Sequence, residues 1–79
     1  MDYLEAVGSQ LRTARKKRFS TDALKDFSLR IGVSRATLQK MEKGDLSVGL
    51  GKYFAAAKVL GLEANFDSLF QIKESLFDD

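Results

Sequence analysis

The chain has 79 residues, 44% of them hydrophobic and 30% charged, with no proline, cysteine or histidine and a formal net charge of +2. That length suits one small domain with no second core, and the missing Cys and His remove disulfides, the usual zinc sites and the commonest acid–base residue. The N-terminus is acidic and amphipathic, and no uncharged stretch approaches the roughly 20 apolar residues of a membrane span, so a soluble, intracellular protein without a signal peptide is expected.

Helical periodicity runs along the whole chain with no alternating strand, which predicts an all-α fold. Helix 1 is expected from Asp2, a candidate N-cap, to about Arg18, with Leu4, Val7, Leu11 and Ala14 as its buried stripe. Gly8 interrupts that stripe at a cost of up to about 1 kcal/mol relative to Ala, and nothing in the sequence accounts for it. The run Arg15 to Arg18 places positive charge where the helix dipole favours it. Ser20 or Thr21 is expected to cap helix 2, with Asp22 in its first turn and Leu24, Phe27, Ser28 and Ile31 on one face. Ser28 reads as a small residue at a close helix crossing, since no histidine exists to activate it as a nucleophile.

The segment Ile31 to Gly44, IGVSRATLQKMEKG, is the most informative stretch. Gly32 and Val33 make a tight turn, Ser34 caps a helix from about Arg35 to Lys43, and Gly44 stops it. Leu38 and Met41 then point inward, while Arg35, Ala36, Thr37, Gln39 and Lys40 point outward. A helical hairpin of this kind can place its second helix in the DNA major groove. Arg35 has the fork to bind guanine O6 and N7, Ala36 could touch a thymine methyl, and Lys40 could reach a second guanine or a phosphate. Ser34, Thr37 and Gln39 read as phosphate or sugar contacts, although Gln39 also has the shape to pair with adenine.

A loop from Asp45 to Val48 leads to helix 4, roughly Leu50 to Leu60, with Leu50, Tyr53, Phe54, Ala57 and Leu60 as its apolar face. Gly49, Leu50, Gly51 and Lys52 open it with free N–H groups suited to a phosphate, but without the Gly-Lys-Ser/Thr ending of a nucleotide-binding loop. Gly61 and Leu62 form its stop. Asn65 is a candidate cap for a fifth helix, about Phe66 to Phe77, whose apolar positions Phe66, Leu69, Phe70, Ile72, Leu76 and Phe77 exceed what one core contact needs. A chain this short buries only about 60% of its unfolded surface. Self-association through Phe66, Leu69, Phe70, Leu76 and Phe77 is therefore expected.

Charge is distributed unevenly. Residues 12 to 58 carry twelve Lys and Arg against four acids, while the last 21 residues carry five acids and one lysine. A basic block around the helical hairpin is the electrostatic footprint of a polyanion partner.

Leu11 to Arg15 (LRTAR), Ile31 to Gly44 and Val59 to Leu62 (VLGL) together resemble the five-helix Cro/Xre-type helix-turn-helix family of phage repressors and bacterial regulators. Met41 to Leu62 is, more narrowly, similar to the HipB-like antitoxins paired with HipA-type kinases. The resemblance implies a compact all-α, λ-repressor-like domain over 1–79, with its helix-turn-helix at about 21–43 and a dimerisation helix at about 66–77. It implies that Ser34, Arg35, Ala36 and Lys40 face bases and that Thr37, Gln39, Lys43, Gly51 and Lys52 hold phosphates. An ion pair between Arg15 and Glu42 is implied too. Two departures stand out: the link from helix 1 to Gly32 is about two residues longer than the usual pattern, and Leu24 replaces the glutamine that commonly begins helix 2.

The function that follows is a cytoplasmic, bacterial or phage-encoded regulator without cofactor or catalysis. It would bind a palindromic operator as a homodimer, repress its own operon and restrain a HipA-type kinase toxin. The alternatives are a phage repressor, a restriction–modification controller, and a protein-interaction module without DNA readout.

Overall fold

In the computed structural model, which describes residues 3–72, the regular structure is entirely helical: α1 (Tyr3–Arg18), α2 (Leu24–Ile31), α3 (Arg35–Glu42), α4 (Leu50–Leu60) and a 3-10 helix (Glu63–Ser68). None of these helices is long and apolar enough to cross a membrane. Leu11, Phe27, Ile31, Leu38, Met41, Ala56 and Leu60 form the core, so each α-helix supplies at least one buried side chain.

The core-facing line of α1 is Gly8, Leu11 and Arg15, with Leu4 and Ala14 at its margin. Val7, expected inside, is 44% exposed because the contact is centred on the glycine, one position further round the helix. The Asp2 cap lies outside the described residues. At the other end, the Arg18 guanidinium donates to the Leu60 carbonyl, so a cation satisfies the orphan end of α4 and ties it to α1.

Neither Ser20 nor Thr21 caps α2. The helix begins after Ala23, whose backbone N–H donates to the Asp26 carboxylate at 3.0 Å. Asp22 precedes the helix and reaches across it to accept from Arg30 at 2.6 and 3.2 Å. The Arg30 guanidinium lies 4.5 Å from the Phe19 ring centroid, and Phe19 meets Phe27 at 5.5 Å. That cluster fixes where the longer α1–α2 link turns. Ser28 is buried at the crossing, its hydroxyl donating to the Lys25 carbonyl at 2.7 Å, which leaves its one polar atom satisfied.

Helices α2 and α3 end alike. At α2 the N–H groups of Gly32 and Val33 bond back to Leu29 and Ser28, and at α3 those of Gly44 and Asp45 bond back to Met41 and Lys40. Gly32 and Gly44 hold φ of 74° and 76°, the left-handed conformation these stops require and other residues resist. Gly61 and Leu62 close α4 the same way, bonding to Lys58 and Ala57.

On α4 the buried residues are Ala56, Ala57 and Leu60, whereas Leu50 and Phe54 are 58% and 41% exposed. Two small side chains bring the α4 backbone close to the core and turn the larger ones to its edge. The fifth helix also departs from expectation. Asn65 lies inside the 3-10 helix and caps nothing, Leu69 and Phe70 sit in a turn, and Gln71 and Ile72 are irregular. Residues 73–77 of the expected helix, with Leu76 and Phe77, lie outside the described residues. A short helix owes its stability to packing, and here Phe66 meets Phe54 edge-on at 5.3 Å, while Phe70 and Ile72 are 92% and 84% exposed.

Candidate nucleic-acid interface

Helix α3 divides its eight residues cleanly. Leu38 and Met41 are fully buried, and Arg35, Ala36, Gln39 and Lys40, joined by Lys43 just after the helix, are exposed. Among the described residues, Arg35, Gln39, Lys40 and Lys43 make no side-chain hydrogen bond or ion pair. Three cations, none of them hydrogen-bonded or ion-paired through its side chain among the described residues, thus share one face with an amide and a methyl group, with the Asp45 charge acting on Lys40 from the following loop. Thr37 is half-buried; its N–H donates to Ser34 Oγ at 3.0 Å, and the Ser34 hydroxyl donates to Thr37 Oγ1 at 3.0 Å. The cap therefore occupies much of the hydrogen-bonding capacity of both hydroxyls.

The last turn of α3 is held by α1. Arg15 Nε donates to Glu42 Oε2 at 2.6 Å and Nη2 to Oε1 at 3.1 Å, with side chains only 9% and 10% exposed. Two turns earlier, Gly8 lies directly against the backbone of Glu42 and Gly44.

Gly51 and Lys52 are exposed at the start of α4, whose first turn has no side-chain cap, while the Lys52 N–H donates to the Gly49 carbonyl at 3.0 Å. A side chain at Gly49 or Gly51 would meet nothing within 4 Å, so the space on the Cβ side of both glycines is open. The loop before them is fixed by the Asp45 carboxylate accepting from the Ser47 N–H at 2.8 Å, a bond that lowers the Asp45 pKa, and by the Tyr53 hydroxyl donating to the Asp45 carbonyl at 3.0 Å. Burial, helped by the Asp45 charge, pushes the Tyr53 pKa up and keeps its hydroxyl a donor. On the α1–α2 side, the hydrogen bond from Arg30 holds the Asp22 carboxyl below its ordinary value.

Away from α3, an apolar surface surrounds two adjoining depressions of about 210 and 330 Å³ that share Val7, Tyr53, Phe66 and Leu69 in their walls. Of the residues expected to join subunits, Leu69 and Phe70 are exposed here, Phe66 is half-buried against Phe54, and Leu76 and Phe77 lie outside the described residues. The depressions bring in Val7, Leu46 and Leu50, which periodicity had placed in the core or left unremarked. The close contact at Gly8 was missed as well, though a glycine inside a helical apolar stripe was its signal. The acids of the described residues form no cluster able to hold a metal. A family model described as Helix-turn-helix matches residues 11–66 of the chain. No curated protein and no solved structure matches it.

Proposed function

This chain belongs to the helix-turn-helix family, and on that premise we propose that it is an autorepressing antitoxin that reads a palindromic operator as a homodimer and restrains a HipA-type kinase. The family is one of DNA-binding regulators. The observation that carries the DNA reading is the exposed face of α3, where Arg35, Lys40 and Lys43 make no side-chain hydrogen bond or ion pair among the described residues. An α-helix is about 10–12 Å across and the major groove about 12 Å wide. On this reading Ser34, Arg35, Ala36 and Lys40 meet base edges, while Thr37, Gln39, Lys43, Gly51 and Lys52 hold phosphates. The apolar surface around Val7, Tyr53, Phe66 and Leu69 supports a second copy, and two-fold symmetry then sets half-sites about 10 bp apart. The similarity of Met41 to Leu62 to HipB-like regulators supports the antitoxin role.

Titrated gel shifts on the upstream region of the protein's own gene, beside a random duplex, test the reading. Arg35→Ala should weaken specific binding by about 1–3 kcal/mol and leave random binding nearly unchanged. Equal losses on both duplexes would remove Arg35 from base reading. No shift of either duplex at low salt would replace this reading with a protein-interaction module. Co-purification with the product of a neighbouring kinase gene tests the antitoxin role.

A further inference from the structure

We infer that Gly8 is a positioning residue for α3: its missing side chain lets α1 touch the last turn of α3 backbone to backbone, and this contact sets the tilt of the reading helix. The functional consequence rests on the DNA reading above; the geometry does not. A Cβ on Gly8 would lie 2.6 Å from the Glu42 carbonyl oxygen and the Gly44 nitrogen, and 2.7 Å from the Glu42 carbonyl carbon. All three are backbone atoms, so no side-chain rotation relieves the overlap. Carbon contacts settle at about 3.5–4.0 Å, so the turn would have to retreat by about 1 Å. The contact is reciprocal, because a Cβ on Gly44 would run into the Leu4 carbonyl.

Arg15 stands seven residues after Gly8, about 10 Å along α1, and grips the side chain of the same Glu42 whose carbonyl faces Gly8. Helix α1 therefore holds that turn at two points. Helix α3 is about 12 Å long and is anchored at its other end by the Gly32 turn. A retreat of about 1 Å at the clamped end tilts it by about 5°, moving Gln39, Lys40 and Lys43 most. Binding constellations work within about 0.5 Å of their productive geometry.

The test compares the wild-type chain with Gly8→Ala and with Phe19→Ala, which removes the ring packed on Phe27 and Arg30 and leaves the Gly8 contact in place, at a temperature where circular dichroism reports all three as folded. In ¹⁵N-labelled protein the Arg15 Nε–H resonance should be slowly exchanging in wild type and Phe19→Ala, and should move to the free-arginine position in Gly8→Ala. The ratio of specific to random duplex binding should fall about tenfold in Gly8→Ala and hold within about twofold in Phe19→Ala. A folded Gly8→Ala that keeps both the resonance and the ratio overturns the inference. Should Gly8→Ala not fold, the wild type decides: a strong nuclear Overhauser contact between the Gly8 α-protons and the Gly44 N–H is expected from the close approach of the two backbones, and its absence overturns the inference. A wild type with no duplex preference sinks the DNA reading, while the Arg15 resonance still decides whether Gly8 sets the tilt.

Discussion

Glu42→Gln isolates the ion pair that joins α1 to α3. Arg15 and Glu42 meet through two hydrogen bonds of 2.6 and 3.1 Å, with both side chains about nine-tenths buried. Two unit charges about 4 Å apart attract by about 4 kcal/mol at an effective dielectric near 20, but withdrawing each ion from water costs several kcal/mol. The intact pair therefore contributes little net stability. Removing one charge is different, because the Arg15 guanidinium stays buried with its attraction gone, which costs about 3–5 kcal/mol. A chain of this size has about 4–12 kcal/mol of stability in all. The melting temperature should then fall by about 12 °C or more, at roughly 4 °C per kcal/mol. Urea unfolding followed by circular dichroism measures the change. Arg15→Met/Glu42→Leu should come back to within about 1 kcal/mol of wild type. A loss below about 1 kcal/mol in Glu42→Gln, or a double variant worse than the single one, would refute the reasoning.

Three further outcomes are expected. Lys52→Ala should weaken binding to every duplex alike and flatten the slope of log K against log salt by about one, read from titrations at several salt concentrations. The Asp22 carboxyl has its folded pKa lowered by Arg30, so its stabilising contribution is present above the unfolded value of about 3.9 and is lost as pH falls through the folded value. Asp22→Asn should accordingly make the melting temperature fall less steeply between neutral pH and pH of about 3. Leu69→Asp should give a folded monomer by sedimentation where the wild type gives a dimer; an unchanged mass would take Leu69 out of the proposed subunit contact.

What could be read from the sequence is what neighbouring residues decide among themselves. Ser34 accepts the Thr37 N–H because a hydroxyl at that position can reach the first turn, and Gly44 and Gly61 stop their helices because each adopts a positive φ. The inward turn of Leu38 and Met41 follows from a spacing of three. Misreadings arose where partners distant in sequence decide. Gly8 looked like a defect until the backbone of Glu42 and Gly44 lay against it. Asp22 looked like a first-turn acid, but Arg30 holds it outside the helix. Phe54 and Leu50 read as core because they are large, yet the small Ala56 and Ala57 set how α4 lies. In the candidate site, periodicity gave the exposure of Arg35, Gln39 and Lys40, whereas the double grip on Glu42 depends on where α1 crosses α3.

The separation of faces on α3 explains how eight residues can present a stable surface for recognition. An isolated helix of that length does not persist in water, because too few hydrogen bonds offset the cost of nucleation. Its order is imported: from Leu38 and Met41 sealed in the core, from the Ser34 cap, and from α1 at Glu42. None of these supports uses Arg35, Ala36, Gln39 or Lys40. Substitutions on the outer face should therefore change stability by no more than about 0.5 kcal/mol, leaving that face free to alter what it reads without unsettling the scaffold. Substitutions at Gly8, Arg15 or Glu42 lack that freedom, since the same atoms hold the helix in the fold and aim it outward.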